Sequence, residues 1–182
     1  METTYNLCII KPNQSAFSET FIQQHINRLS GHKKVLYGGA FPVYKEDGKF
    51  LINSKIDLIS YLFQKKILGK KSITVRDKAL IQYLKKEQID VVFAEYGMVG
   101  AMVTAACKQA NIPLIIQFHG ADAHQQKTVQ TYLSFYKKAF AYAAAIVTVS
   151  QDMLDTLIRL GASKEKIFLN PCGVDTQLFS QI

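Results

Sequence analysis

The strongest chemical signal in this 182-residue sequence is a histidine followed by a glycine and an aspartate, His119-Gly120-Ala121-Asp122. His119 comes directly after the apolar run 113–118, which has the composition of a buried strand. An imidazole titrates near neutral pH, so it can accept a proton or polarise a hydroxyl group. Asp122 can orient the imidazole or accept from a ligand hydroxyl, and Gly120 permits close approach or an unusual backbone angle. The pattern predicts a functional histidine, with a structural histidine as the alternative.

Metal binding and several other catalytic arrangements find little support in the sequence. His119 and His124 are close together, but no third ligand follows at a suitable spacing, so we expect no metal site. The cysteines Cys8, Cys107 and Cys172 are odd in number and far apart, which argues against a disulfide framework and favours a reducing compartment. The glycine-rich loops of dinucleotide-binding and P-loop proteins are absent, as is the G-x-S-x-G motif of α/β-hydrolases.

A second candidate region follows the first predicted strand, residues 5–10. The loop contains Ser15, Ser18 and Thr20 and leads into a helix whose apolar periodicity ends before Gly31. The free N–H groups and positive dipole end of such a helix can hold an anionic or hydroxyl-rich ligand. The alternative is an ordinary capping loop, with Ser18 as the N-cap residue and Gly31 just past the last turn.

A third region follows the strand predicted at 90–94, where Glu95 and Tyr96 stand side by side. A carboxylate next to an aromatic ring suits sugar recognition by hydrogen bonding and stacking. The same pair is equally compatible with a surface turn.

These loops must be positioned by an alternation of apolar strands and amphipathic helices. Continuous apolar strands alternating with helices predict an α/β fold, a Rossmann-like doubly wound and mostly parallel sheet flanked by helices. Ligands of such sheets lie beyond the carboxyl ends of the strands. Ser150 is predicted to cap the last helix and Gly161 to end it. The predicted strands are 5–10, 35–37, 90–94, 113–118, 145–149 and 166–169, and the predicted helices are 18–31, 54–68, 76–88, 98–110, 126–143 and 151–160.

Three separated stretches of the chain form a recognisable set. The first is F-S-E-T-F-I from Phe17, the second is F-H-G-A-D from Phe118, and the third runs from Val149 to Asp175. In this order, through nearly the whole chain, they resemble the family-4 glycosyltransferases of the GT-B fold, of the bacterial polysaccharide and lipopolysaccharide type. The third stretch departs from the family pattern by carrying Pro171-Cys172 before its Gly-Val-Asp.

The resemblance implies the N-terminal half of a GT-B enzyme, the acceptor side of a retaining, nucleotide-sugar-dependent hexosyltransferase in surface glycan synthesis. Residues 1–169 would form this domain, and 170–182 would begin the linker to a C-terminal donor-binding domain, without which the chain would be inactive. The implied partners are a nucleotide-sugar, a glycan or lipid-linked acceptor, and that second domain. No cofactor is implied, because the nucleotide-sugar is a substrate. The alternative is a non-catalytic module that binds a glycan, a nucleotide or a lipid headgroup.

By position, the resemblance makes His119 the residue that contacts the transferred sugar or the acceptor near the anomeric centre. The remaining implied substrate-binding residues are Ser15, Phe17, Ser18, Glu19, Thr20, Glu95, Tyr96, Gly120, Asp122, Ser150 and Asn170.

The charge of the chain is concentrated in one segment. Of a net charge of +8, residues 45–86 contribute +7, from eleven basic and four acidic side chains. An apolar stripe, Ile56, Ile59, Phe63 and Ile67, lies among lysines 55, 65, 66, 70 and 71. One interpretation is a core-facing helix with a solvated lysine face; the other is docking on anionic lipid through Lys55, Lys65, Lys66, Lys70 and Lys71.

Two further classes are disfavoured by composition. Only three of the 22 basic residues are arginines and no RNA-binding motif appears, so we expect no nucleic-acid partner. The sequence contains neither a secretory signal nor an apolar run of about 20 residues that could span a membrane. We therefore expect a cytoplasmic protein, soluble or peripheral on the inner face of the plasma membrane.

Overall fold

The computed structural model describes residues 4–14, 19–52, 54–66 and 74–173, apart from the side chains of residues 65 and 66. Strands and helices alternate along the chain. The strands are β1 (Asn6–Lys11), β2 (His32–Tyr37), β3 (Tyr44–Lys45), β4 (Val91–Glu95), β5 (Leu114–Gln117), β6 (Ala145–Thr148) and β7 (Ile167–Leu169). The helices are α1 (Thr20–Arg28), α2 (Lys55–Lys66), α3 (Thr74–Lys86), α4 (Gly97–Ala110), α5 (Gly120–His124), α6 (Gln126–Tyr142) and α7 (Gln151–Arg159), and a 3₁₀ turn covers Lys164–Lys166.

The strands form one seven-stranded sheet in the order β3-β2-β1-β4-β5-β6-β7. Every pairing in the sheet is parallel except that of β3 with β2, which is antiparallel. After β3, a hairpin turn around Asp47-Gly48 brings Phe50 back to pair with Tyr44. The predicted α/β, mostly parallel fold is confirmed. The chain builds outward in both directions from β1, so the boundary between β1 and β4 is the switch point of the sheet, beside which such folds bind ligands.

Alternate strand residues face opposite sides of the sheet and create two unequal layers. One side holds the main core, in which Cys8, Val92 and Ile116 pack beneath α3, α4, α6 and α7. On the other side Ile26 of α1, and Leu29 directly after that helix, pack on Leu7 and Phe93. Beyond α1 toward β7 this second face forms an apolar groove of about 610 Å³.

Predicted helix ends were correct at α7 and wrong at α1. The Ser150 hydroxyl accepts the Met153 N–H at 3.2 Å, and Gly161 takes a positive φ of 104° directly after the helix. At α1 the helix ends at Arg28, and Leu29 already has extended backbone, so Gly31 is not its terminal glycine. Gly31 instead approaches the start of β1 closely, with a positive φ of 89°. Glu19 occupies the cap position of α1, and Ser18 lies outside the described residues.

Of the two interpretations of the apolar stripe of α2, the core-facing one is wrong for its described members Ile56, Ile59 and Phe63, which are exposed. Tyr61 is the buried side chain of this helix, and Leu58 packs beside it in a small cluster with Ile52. Ile56 and the residues that share its face point into solvent. Periodicity identified the helix, but apolar residues occupy both of its sides, so spacing alone could not identify the side that packs. Ile67, Lys70 and Lys71 lie outside the described residues, as do the side chains of Lys65 and Lys66.

Candidate functional site

Three chain segments meet at the carboxyl end of the sheet, beside the switch point. Glu95 is the last residue of β4, and His119 follows β5 by two residues. Phe21, in the first turn of α1, lies at the same point, and its ring contacts the imidazole of His119. The strand-end loops predicted from sequence therefore converge, as parallel strand ends at one edge of a sheet require.

A buried carboxylate is the centre of this cluster. Glu95 is fully buried; one of its oxygens lies 2.7 Å from Nδ1 of His25 and the other 3.2 Å from Nε2 of His119. Burial by itself raises the pKa of Glu95, but hydrogen bonds and charge from His119 and His25 outweigh burial and hold that pKa below its ordinary value. An ionised carboxylate only accepts hydrogen bonds, so His25 carries a proton on Nδ1 and His119 on Nε2. Glu95 thereby fixes the orientation of both rings.

Two aromatic rings pack close to the imidazole of His119. The Phe21 ring is 4.4 Å away and the Tyr96 ring 4.6 Å away, measured between centroids. Only 9% of the His119 side chain is exposed, so little of the imidazole is open to a ligand. Aromatic rings therefore form much of the surroundings of the imidazole.

Tyr96 is held in a backbone conformation that is unusual for a residue with a side chain. Its φ is 77° and its ψ 140°, a sparsely populated region whose occupation costs of order 1–3 kcal/mol. The phenol donates to Glu19 at 3.1 Å, and Glu19 also accepts from the Asn13 side chain at 3.0 Å. Burial and the adjacent Glu19 carboxylate raise the pKa of the Tyr96 phenol. This strained residue joins α1 to the His119 loop.

The expectation that Asp122 orients the imidazole is wrong. Its carboxylate accepts the backbone N–H of His119 at 2.8 Å and also that of Gly97, and the residue is only 1% exposed. Burial raises the pKa of Asp122 to about 6, although these N–H groups act in the opposite direction. The Asp122 carboxylate thus ties the backbone of His119 to the start of α4.

Two glycines shape the site in different ways. Gly120 has no positive φ, so the expected unusual backbone angle is wrong, but a side chain built there would meet no atom within 4 Å. Gly120 is therefore an open point of the surface beside His119. At Gly97 an added Cβ would lie 2.1 Å from the Phe118 ring, so glycine is needed where β4 passes into α4.

The remaining predicted residues are less tightly grouped. Thr20, Ser150 and Asn170 are exposed, and the Ser150 hydroxyl serves as the cap of α7. Ser15, Phe17 and Ser18 lie outside the described residues. His124 pairs with Asp152 at 3.5 Å and not with His119. Within the described ranges, no group of three or more His, Cys, Asp or Glu side chains could hold a metal ion.

Sequence reasoning missed His25 and Phe21 as members of the site. The two residues are four positions apart in α1 and so share one helical face. The available signal was a histidine on the apolar side of the first helix, opposite a strand that ends in a carboxylate. The strain at Tyr96 had no signal in the sequence.

The sequence matches the model of Glycosyltransferase Family 4 over residues 40–178, more than half of its length, and the chain belongs to this family. A search of curated proteins found no match.

Solved structures with a similar fold include Anabaena HepE in complex with UDP-glucose, at a TM-score of 0.63 and 16% identity, covering 96% of this chain and 45% of that one. S. aureus MnaA in complex with UDP matches at a TM-score of 0.57 and 12% identity, covering 92% of this chain and 44% of that one. UDP-N-acetylglucosamine 2-epimerase from Rickettsia bellii matches at a TM-score of 0.53 and 13% identity, covering 92% of this chain and 44% of that one. The chain thus spans less than half the length of these proteins, and the likeness places its fold as the N-terminal half of a GT-B structure.

Proposed function

We propose that this chain is the acceptor-side domain of a retaining, nucleotide-sugar-dependent hexosyltransferase that acts in bacterial surface polysaccharide or lipopolysaccharide synthesis. Family membership supports sugar transfer. The similar folds of HepE, solved with UDP-glucose, and MnaA, solved with UDP, support a nucleotide-sugar as donor.

The observation that carries this proposal is the fixed imidazole of His119 at the switch point of the sheet. The rings of Phe21 and Tyr96 pack close to this imidazole, and the open backbone of Gly120 follows it directly in the chain. Aromatic faces suit the apolar faces of a sugar ring, and a nearby imidazole can hydrogen-bond a sugar hydroxyl or stabilise developing charge. We assign His119 to contact with the transferred sugar or the acceptor near the anomeric centre.

The ligand-contacting set differs from the predicted one at two positions. Glu95 and Asp122 are buried and act through His119, the first by orienting its ring and the second by holding its backbone. The proposed ligand contacts that remain are Glu19, Thr20, Tyr96, Gly120, Ser150 and Asn170 among the described residues, and Ser15, Phe17 and Ser18 outside them.

We further propose that transfer requires a second, donor-binding domain, which closes over the carboxyl end of the sheet. The solved structures of similar fold support this view, since this chain matches only about 45% of their length. In this proposal 1–169 form the acceptor-side domain and 170–182 begin the linker. The nucleotide-sugar enters as a substrate, and we propose no resident cofactor or metal.

The proposed acceptor is a glycan or a lipid-linked glycan, and the proposed location is the cytoplasmic face of the plasma membrane. No helix within the described parts of the chain has both the length and the apolar character needed to cross a bilayer. The basic segment 45–86 supports a peripheral contact with anionic lipid.

The test is a screen of nucleotide-sugar donors with the protein that contains both domains, comparing wild type with His119→Ala. We expect loss of transfer by about 100-fold or more, the range reported for removing a group that stabilises the transition state. His32→Ala is the matched control, because His32 is exposed on β2 and lies outside the site. Unchanged turnover in His119→Ala would contradict the assignment. Glycan binding without transfer from any donor would favour the non-catalytic module instead.

A further inference from the structure

The helix α2 exposes an unusual ridge of large apolar side chains. Ile56 is 79% exposed, Ile59 68%, Leu62 41% and Phe63 52%. Eight large hydrophobic residues are exposed among the described residues, and four of them lie on this one helix of 12 residues. Single exposed apolar residues are normal on a soluble protein, but a contiguous ridge marks a surface that contacts something else.

The ridge is held outward by the opposite side of the same helix. Tyr61 is 5% exposed and packs with Ile52. Leu58 of α2 and Val75 of α3 pack against this pair. Rotating α2 to bury the ridge would bring Tyr61 out of the core. The exposed ridge is thus a fixed feature of the packing of α2.

Charge indicates which partner fits this ridge. Within residues 45–86 the eleven basic side chains are ten lysines and one arginine, Arg76, which is buried against Phe41 and does not add to the surface. Protein interfaces are depleted of lysine and enriched in arginine, whereas interfacial membrane helices carry lysines around apolar residues that enter the lipid. Asp57 is the only acidic residue of α2.

We propose that α2 is a membrane-docking helix that lies in the plane of an anionic bilayer, with Ile56, Ile59, Leu62 and Phe63 inserted below the headgroups. The exposed Lys55 of the same helix contacts the phosphates of the lipid headgroups, and the net positive charge of residues 45–86 adds to the attraction. This inference deepens the proposed peripheral membrane location. It depends on no property of His119, because lipid binding requires neither donor nor acceptor.

The test measures binding of the 182-residue chain to vesicles of phosphatidylcholine alone and of phosphatidylcholine with 30% phosphatidylglycerol, a composition chosen for the assay. We expect binding to the anionic vesicles that weakens as salt is raised, and much weaker binding to the neutral ones. Ile59→Ser combined with Phe63→Ser should weaken binding by about tenfold or more, since both side chains enter the lipid. Ile158→Ser is the matched control, because Ile158 is an exposed isoleucine on α7 and should leave binding unchanged.

The charge contribution is tested separately. Lys55→Glu should weaken binding to anionic vesicles by about fivefold or more, whereas Lys137→Glu on α6 removes the same charge elsewhere and should have a much smaller effect. Circular dichroism of each variant checks that the fold is retained.

Three results would overturn the proposal. One is equal binding to neutral and anionic vesicles, and another is unchanged vesicle binding in the double serine variant. The third is a wild-type chain that does not bind vesicles but forms a concentration-dependent dimer in sedimentation, which Phe63→Ser abolishes. The ridge would then be an interface between two copies of the chain. None of these results bears on sugar transfer, which the donor screen tests independently.

Discussion

Replacing Glu95 by glutamine tests whether a buried carboxylate holds the site together. In the wild type both carboxylate oxygens accept, one from His25 and one from His119. A glutamine side chain of the same size is neutral, and its amide N–H₂ can bond the second histidine only if that ring changes tautomer. The charge assistance of both hydrogen bonds is lost, which costs about 2 kcal/mol in the free energy of unfolding. For a domain of this size the melting temperature should fall by roughly 4–8 °C.

The pH dependence of this loss has a defined sign. Because the pKa of Glu95 in the folded protein lies below its ordinary value of 4.5, the ionised carboxylate stabilises the fold above that value. This stabilisation disappears as the pH falls through the folded pKa. The difference in stability between wild type and Glu95→Gln should therefore be complete at pH 7 and shrink below about pH 4.

The assay is urea unfolding of both proteins at pH 7 and at about pH 3.5, followed by circular dichroism. Glu46→Gln is the matched control, since Glu46 is exposed and its change should stay within about 0.5 kcal/mol. Equal stability of Glu95→Gln and wild type at pH 7 would refute the bridging role of Glu95. A deficit that is as large at the lower pH would show that lost packing, and not lost charge, is the cause.

Two further changes test the scaffold around the site by urea unfolding. Gly97→Ala places a methyl group 2.1 Å from the Phe118 ring and should destabilise the fold by about 3 kcal/mol, whereas Gly120→Ala, which meets no atom within 4 Å, should cost about 0.5 kcal/mol or less. Equal losses at the two glycines would contradict the packing described here. Ser150→Ala removes the hydroxyl that accepts the Met153 N–H and should cost about 1 kcal/mol, which Ser150→Asn should largely restore; an unaffected alanine variant would exclude the cap.

The parallel sheet was predictable because its strands are continuous apolar runs separated by helices. Strand runs such as 113–118 are continuously apolar, a composition typical of strands in a parallel sheet, although Ile115 is only half-buried and lines the groove on the second face. The cap of α7 was equally predictable, because Ser150 acts on a neighbour three residues away. Local interactions of this kind are readable in one segment of sequence.

The content of the site was only partly predictable, because its interactions join distant segments. His119 and Glu95 were identified as strand-end residues, yet their hydrogen bond and the contribution of His25 depend on how α1 packs across the sheet. The core-facing interpretation of the apolar stripe of α2 was wrong for a related reason. Both sides of that helix carry apolar residues, and only the position of Tyr61 in the core determines which side faces outward.

The most direct measurement for the central claim is an NMR titration of the isotope-labelled 182-residue chain with glycan acceptors. The account predicts that backbone amide shifts concentrate around Thr20, Tyr96 and Gly120, at the carboxyl end of the sheet, and weaken in His119→Ala. Shifts confined to the helical face around Lys108, or the same response in His119→Ala as in wild type, would contradict it.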